Sequence, residues 1–267
     1  MSERMSIEIE GSSFFAAAPP DRVKYWTHVR SGRWERSTFM VLGRFLRPNT
    51  RYIDIGTWIG PTILFAAARG AQVVGFEPDP VARFELQANI DANSPEIQRR
   101  INIVPAAIST KSGVSRLYAD NFGDSMSRFN PDWERKDGMV HLTKSVDCPT
   151  INVTEAAESY RFHEAALVKI DVEGHEYDFV PALADHLKGR VPVHLSLHPN
   201  AIGNSEPTPD AKKAERIQKT VRILDAFGSC KVEICEETEI VPTSRSQLDA
   251  RLHQRGGLWG PLLFTPQ

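Results

Sequence analysis

The chain has few cysteines, no long apolar run and no large excess of charge, and each absence excludes a class of protein. Its three cysteines, Cys148, Cys230 and Cys235, form no C-x-x-C pair, so no disulfide framework is indicated and a reducing compartment fits best. No stretch approaches the roughly 18 apolar residues that a membrane-spanning helix needs. The net charge of −2 argues against a broad basic surface that would bind nucleic acid.

Two common nucleotide-binding fingerprints are also missing. The segment DIGTWIG, residues 54–60, is not G-x-G-x-x-G, so the dinucleotide fingerprint fails. It also lacks Gly-Lys-Ser/Thr, so it is not a P-loop. An NAD-dependent oxidoreductase is therefore disfavoured, and Asp54 would repel a pyrophosphate.

The composition is that of a soluble globular protein, with 41% hydrophobic and 25% charged residues among 267. We interpret residues 1–20 as a loose, partly mobile arm of a cytoplasmic protein, since they lack an uninterrupted apolar core of signal-peptide length. Apolar residues at helical spacing predict one or two helices over 21–47. Residues 1–50 are thus a predicted N-terminal arm and helical cap, and residues 51–267 a predicted α/β domain.

From residue 51 onward, short apolar runs alternate with helical segments. RYIDIG, AQVVGFEP and INIVPAAIS are predicted strands, and the helices between them begin near Pro61 and Pro80. This order predicts a parallel sheet with right-handed crossovers. Two short strands around a polar loop are predicted over 114–152, and core strands at AALVKI, VPVHLSLHP, CKVEIC and GPLLFT, giving at least seven strands.

Acidic residues follow the first two core strands at positions that suit an adenosyl ligand. Asp54 precedes Gly56 and Gly60, which allow a tight turn and close approach of a ligand to a helix start. Glu77 ends the second strand, where a carboxylate can accept hydrogen bonds from both ribose hydroxyls. S-adenosylmethionine combines a ribose with a positively charged amino acid and has no phosphate, so it is the predicted cofactor.

The stretch KIDVEGHE, residues 169–176, ends an apolar strand in a cluster of charge. A strand that is buried on both faces is expected to deliver side chains to a site at its carboxyl end. Alternation would put Asp171 and Glu173 on one side of the chain. An ordinary strand-to-helix turn also accounts for this stretch, with Lys169 in a structural ion pair.

These motifs resemble the FkbM-type family of class I S-adenosylmethionine-dependent methyltransferases. The resemblance covers about residues 35–200 and is carried by YIDIGTWIGPTILFAAARGAQVVGFEPDP, INIVPAAIS, GDSMS and LVKIDVEGHE. It implies a seven-stranded Rossmann-like α/β sheet with its last strand antiparallel, here with an N-terminal helical extension. It also implies methylation of a hydroxyl, often on a sugar or secondary metabolite, without naming the substrate.

The resemblance implies cofactor contacts from residues at the carboxyl ends of the first strands: Glu35, Asp54, Gly56, Thr57, Trp58, Gly60, Glu77, Pro78, Ala106, Ala107, Ser125 and Asp171. The loop at 54–60 would hold the methionine end, Glu77 the ribose, and the alanine pair the adenine. Trp58 stands where the family commonly has a small or amide residue. Its larger side chain would narrow the space for the methionine part of the cofactor. No carboxylate follows the third strand to hold the adenine amino group, so Asp120, Asp124 or Ser125 would serve instead.

Methyl transfer to an alcohol needs a base or a metal to remove the hydroxyl proton. The predicted catalytic residues are Asp171, His198 and Glu173. Asp171 would orient the acceptor hydroxyl, act as the base or bind a metal. Asp171, His198 and Asn200 would make an incomplete divalent-metal site, and histidine is unusual for magnesium. A metal is therefore not favoured, and no metal ligands are predicted.

Two alternatives stay open at this point: N-methyl transfer to an amine or amide, and a non-catalytic protein that binds S-adenosylmethionine or S-adenosylhomocysteine. The expected partner is a small-molecule or glycan acceptor, bound by the N-terminal helices and the loops at 120–140 and 199–210. No nucleic acid or membrane partner is expected. The oligomeric state is left open, with a homodimer as one option.

Overall fold

A computed structural model describes residues 4–135, 138–187 and 189–267, and a mixed β-sheet flanked by helices forms its centre. In chain order the strands are β1 (Arg4–Ile9), β2 (Ser12–Ala17), β3 (Arg51–Ile55), β4 (Gln72–Phe76), β5 (Ile101–Val104), β6 (Ala107–Ser109), β7 (Gly113–Ala119), β8 (Asp132–Arg135), β9 (Gly138–His141), β10 (Lys144–Asn152), β11 (Ala165–Ile170), β12 (Val193–Leu197), β13 (Lys231–Cys235), β14 (Ile240–Thr243) and β15 (Gly260–Thr265). The helices are α1 (Val23–Arg30), α2 (Arg36–Phe45), α3 (Pro61–Ala68), α4 (Pro80–Asp91), α5 (Pro95–Gln98), α6 (Val153–Ser159), α7 (Glu176–Leu187), α8 (Pro209–Ala226) and α9 (Arg245–Arg255). None of the helices in these ranges is both long and apolar enough to cross a bilayer.

The main sheet has the order β14-β13-β15-β12-β11-β3-β4-β5. Strands β5, β4, β3, β11 and β12 run parallel, and β15 inserts antiparallel between β12 and β13. The predicted Rossmann-like α/β class with an antiparallel last strand is confirmed. The sheet has eight strands among the described residues rather than seven, because the unpredicted β14 pairs with β13 at the edge.

The predicted loose arm at residues 1–20 is wrong from Arg4 onward, since β1 and β2 form an antiparallel hairpin. Its turn residues Glu10 and Gly11 have φ angles of 45° and 70°, the positive values that a two-residue hairpin turn requires. Ile7 and Phe14 point inward and are buried with the aromatic side chains of the helical cap. The hairpin therefore extends the hydrophobic core instead of trailing from it.

Two asparagines of α4 and the turn after it hold this hairpin against the domain. Asn89 accepts a hydrogen bond from the Ala17 amide at 2.9 Å and donates one to the Ile59 carbonyl at 2.8 Å. Asn93 accepts from the Phe15 amide at 2.8 Å and donates to the Phe15 carbonyl at 2.7 Å. These bonds satisfy backbone groups of β2 that face the domain, as buried polar groups require.

The third predicted strand is split in the structure. β5 belongs to the main sheet, whereas β6 belongs to a separate three-stranded sheet with the order β6-β10-β7. Pro105 lies between them and has no amide hydrogen with which to continue a ladder. The polar loop predicted between β7 and β10 contains the β8–β9 hairpin, and its first part passes over the carboxyl ends of β3 and β4.

We expect Asn89→Ala to lower the free energy of unfolding by about 2–4 kcal/mol, because it leaves the Ala17 amide and the Ile59 carbonyl without partners. Urea unfolding measures the loss. The control is Gln87→Ala on the exposed side of α4, for which a change within about 0.5 kcal/mol is expected. Equal losses in the two variants would contradict the anchoring role of Asn89.

Candidate functional site: two cavities at the carboxyl edge of the sheet

Two adjoining cavities lie where the carboxyl ends of β3, β4, β11 and β12 meet. The inner cavity has a volume of about 60 Å³ and the outer cavity about 420 Å³. They share one wall, formed by Gly56, Trp58, Ser125, Asp171 and Glu173. Groups bound in the two cavities would therefore meet at this shared wall.

The predicted site residues distribute between these cavities. Glu77, Pro78 and Ala107 line the inner cavity. Glu35, Thr57 and His198 line the outer cavity. Three further predicted residues lie outside the two cavity linings: Asp54, Gly60 and Ala106.

Gly56 fixes the position of the shared wall. It has a φ of +87°, and a Cβ atom built there would lie 1.9 Å from the carbonyl oxygen of Asp171. The Asp171 amide donates to the Ile55 carbonyl at 2.9 Å, which continues the β3–β11 pairing up to this contact. A residue without a side chain is therefore required for the glycine loop and the charged end of β11 to come together.

Glu77 ends β4 and is held by the backbone around it. It accepts hydrogen bonds from the Trp58 amide at 2.7 Å and the Asp79 amide at 2.9 Å, one on each oxygen. Burial raises its pKa to about 7, against the effect of these two bonds. Each oxygen keeps a further lone pair, so the carboxylate can also accept from two neighbouring hydroxyls of a ligand in the inner cavity.

Asp54 is fully buried beneath the glycine loop, which differs from its expected place beside the cofactor. Its Oδ2 accepts hydrogen bonds from the hydroxyls of Tyr52 and Thr62, and Lys169 Nζ lies 3.4 Å from its Oδ1. Lys169 Nζ also lies 3.6 Å from Asp171 Oδ2. Burial opposes the charge of Lys169, but the two aspartates raise its pKa. Lys169 is thus a structural cation that joins β3 to β11.

The predicted catalytic residues come together on the outer cavity. His198 Nε2 lies 3.5 Å from Asp171 Oδ1 and 3.7 Å from Glu173 Oε1. Burial opposes a charge on His198, but Glu176 and these two carboxylates raise its pKa to about 10. Burial raises the pKa of Glu173, whereas the pKa of Asp171 is lowered because Lys169 and His198 outweigh its burial.

Glu35 lines the outer cavity together with Thr57 of the glycine loop. It precedes α2 with a left-handed φ of 42°, and its carboxylate accepts a hydrogen bond from the Thr38 hydroxyl at 3.1 Å. Burial, together with the charge of Asp171, raises its pKa to about 7. A carboxylate on this cavity suits a cationic group of a ligand.

A segment at residues 121–129 covers the inner cavity. Asp79 accepts hydrogen bonds from the Gly123 amide at 2.8 Å and the Ser127 hydroxyl at 2.9 Å. The Gly123 carbonyl accepts from the Trp58 indole at 2.8 Å and from Arg22 at 2.9 Å. Ser127 and Phe129 of this segment line the cavity beneath.

Several lining residues were not predicted from the sequence. Trp259, just before β15, is about half exposed, at 52%, and lines the outer cavity with Trp34. Arg128 is buried and donates to Glu173 at 3.1 Å. An isolated tryptophan and a loop arginine carry no spacing signal, so only their position in the fold identifies them.

Residues 54–200, more than half of the chain, match the sequence model of the Methyltransferase FkbM domain. No curated protein sequence matches the chain. Three solved structures are similar to the chain, each with a TM-score below 0.5.

The precorrin-6y C5,15-methyltransferase of Geobacter metallireducens has a TM-score of 0.42 and is 12% identical, with 86% of this chain and 87% of that chain covered; the next two structures have TM-scores of 0.42 and 0.44. An O-methyltransferase of Bacillus cereus, in complex with SAH, is 10% identical, with 89% and 80% covered. A TehB-like SAM-dependent methyltransferase of Corynebacterium glutamicum is 8% identical, with 91% and 95% covered.

We expect Lys169→Met to lower the free energy of unfolding by about 3–5 kcal/mol, because it leaves Asp54 buried without its cation. Adding Asp54→Asn removes that uncompensated charge, so the double variant should lose less than the sum of the two single variants. Urea unfolding of all three variants completes the cycle. Strictly additive losses would show that the two side chains are not coupled.

Proposed function

The chain belongs to the Methyltransferase FkbM domain family, and we propose that this S-adenosylmethionine-dependent methyltransferase methylates a hydroxyl group of a small molecule, sugar or secondary metabolite. The observation that carries the proposal is the shared wall, where Asp171 and Glu173 stand between the two cavities with His198 beside them. A methyl donor on one side of this wall and a hydroxyl on the other would meet at carboxylates that can hold and deprotonate the hydroxyl.

The residues around the inner cavity fit S-adenosylmethionine. Glu77 retains lone pairs for the two ribose hydroxyls, and Phe76 and Ala107 offer apolar contacts to an adenine. On the outer side, Thr57 and Glu35 suit the polar methionine end, and Glu35 supplies the negative charge that Asp54 does not present. When bound, the cofactor supplies a methyl group on a positively charged sulfur.

The acceptor oxygen would attack the methyl carbon in line with the carbon–sulfur bond, which breaks and leaves S-adenosylhomocysteine. Holding the two reactants in line at the shared wall supplies much of the rate enhancement. Asp171, with its lowered pKa, is suited to orienting the hydroxyl as a hydrogen-bond acceptor. Glu173 has a raised pKa and is the stronger proton acceptor of the two.

The walls of the outer cavity support an acceptor with apolar faces and polar edges. Trp34 and Trp259 provide aromatic surface, while Ser196 and Asn200 provide hydrogen-bonding groups. This combination suits a sugar ring or a hydroxylated secondary metabolite. N-methylation is the second candidate, because a protonated amine is attracted by the same pair of carboxylates, Asp171 and Glu173.

We expect S-adenosylhomocysteine to bind more tightly as the pH rises through about 7, because Glu77 is ionised above its raised pKa and then accepts from both ribose hydroxyls. Calorimetric titration between pH 6 and pH 8 measures this. Glu77→Gln should bind at least about tenfold more weakly at pH 8 and lose the part of the pH dependence that Glu77 contributes, while Glu35, whose pKa is also about 7, keeps the rest. NADH should not bind to the wild type. Tight NADH binding, or no binding of either adenosyl ligand, would contradict the proposed cofactor site.

The preference of the enzyme for a hydroxyl acceptor is tested with matched pairs of hydroxylated and aminated small molecules. Release of S-adenosylhomocysteine measures turnover, and mass spectrometry identifies the methylated atom of the product. We expect methyl ethers. Asp171→Asn should reduce turnover by about 10²-fold or more while S-adenosylhomocysteine binding changes by less than about threefold. Asp147→Asn, an exposed aspartate paired with Arg116 on the separate sheet, is the matched control. Methylation at nitrogen alone would refute the hydroxyl preference.

A further inference from the structure

Three side chains offer potential metal ligands at one point of the outer cavity. One ligand atom from each of Asp171, Glu173 and His198 lies within 4.8 Å of the other two. His198 Nε2 is 3.5 Å from Asp171 Oδ1 and 3.7 Å from Glu173 Oε1, too far for good hydrogen bonds to either. Among the described residues this is the one group of histidine, cysteine and acidic side chains with such convergence.

The second polar atom of each side chain is held by a neighbour on its far side. Asp171 Oδ2 lies 3.6 Å from Lys169 Nζ, and Glu173 Oε2 accepts from Arg128 at 3.1 Å. His198 Nδ1 lies 3.2 Å from the carboxylate of the fully buried Glu176, which also accepts the His198 amide at 2.7 Å. A histidine oriented by a buried carboxylate through one nitrogen, with the other nitrogen free, is the usual arrangement of a metal-ligating imidazole.

We propose that Asp171, Glu173 and His198 bind one divalent transition-metal cation at the wall shared by the two cavities. Metal–ligand bonds of about 2.0–2.2 Å separate neighbouring ligand atoms by roughly 2.8–3.6 Å in octahedral or tetrahedral geometry. The separations of 3.5 and 3.7 Å lie within or just above this range, and all three ligand atoms lie within 4.8 Å of one another. One imidazole with two carboxylates suits manganese, iron or zinc better than magnesium or calcium.

The charge around this point also favours a cation. Asp54, Asp171, Glu173 and Glu176 contribute four carboxylates, against the permanent charges of Lys169 and Arg128. When His198 binds a metal it is neutral, so a divalent cation in place of its proton would balance the difference of two. Asn200, which the sequence pattern grouped with Asp171 and His198, donates its amide to the Glu134 carbonyl at 3.3 Å. Glu173 completes the set of three converging histidine and acidic ligands.

The catalytic role of this cation rests on the proposed function, whereas its binding does not. Three protein ligands leave coordination positions open toward the outer cavity, as in catalytic metal sites. An acceptor hydroxyl bound there would lose its proton more readily, because a cation stabilises the alkoxide. Its oxygen would also be held on the shared wall, directed at the methyl group.

Manganese binding to the chelator-treated full chain tests the inference, with the signal of free Mn²⁺ measured by electron paramagnetic resonance. We expect one Mn²⁺ per chain, with Mg²⁺ binding at least about tenfold more weakly. Asp171→Asn and Glu173→Gln should each weaken Mn²⁺ binding at least about tenfold. Asp132→Asn, from the exposed Asp132–His141 pair, should leave it unchanged. An unchanged circular dichroism spectrum and urea midpoint show that each variant is folded.

Absence of Mn²⁺ binding, or binding that both ligand variants leave unchanged, would overturn the inference. Methyl transfer to hydroxyls that persists in excess chelator would also overturn the catalytic role and leave the proposed function intact. Stoichiometric Mn²⁺ binding without transfer to any hydroxyl would support the metal site and count against the proposed function. Chelator-sensitive transfer that Mn²⁺ restores would support both.

Discussion

The contact between Gly56 and the Asp171 carbonyl is the constraint on which the rest of the site depends. No side chain fits between them, so the loop after β3 and the charged end of β11 meet at backbone distance. Beneath this contact, Lys169 ties the buried Asp54 of β3 to Asp171 after β11. Because the interior ion pair and the close approach act together, the two sides of the shared wall are held in one fixed arrangement.

Much of the fold could be predicted because the parallel strands β3, β4, β11 and β12 are nearly continuous apolar runs that end in turn residues. The wrong or missing predictions concern the N-terminal hairpin and the edge strand of the main sheet. The β1–β2 hairpin was mistaken for a loose arm, although apolar residues alternate along it and Glu10-Gly11 is a turn dipeptide. The edge strand β14 has two exposed positions and little apolar pattern, so its pairing with β13 depends on tertiary contacts that the sequence does not encode locally.

The position of a candidate site residue was predictable where it follows from the place of the residue in the chain, and not where it depends on side-chain direction. Glu77 could be placed because it ends β4, next to a glycine loop. The direction of Asp54 could not be predicted, since a strand buried on both faces gives no periodic signal for the face that meets a ligand. The pairing of Glu173 with His198 and Arg128 joins segments from three parts of the chain, and only the folded sheet brings them together.

The β1–β2 hairpin also has a consequence for the order of events during protein synthesis. Its backbone partners Asn89 and Asn93 come 72 and 78 residues after the groups they bind. At about 5–20 residues per second, the ribosome makes those residues roughly 4–16 s after the groups that they bind. A two-stranded hairpin is at best marginally stable alone, so Ile7 and Phe14 stay exposed to water during that interval. The hairpin thus lacks these native partners until α4 and the turn after it have been made.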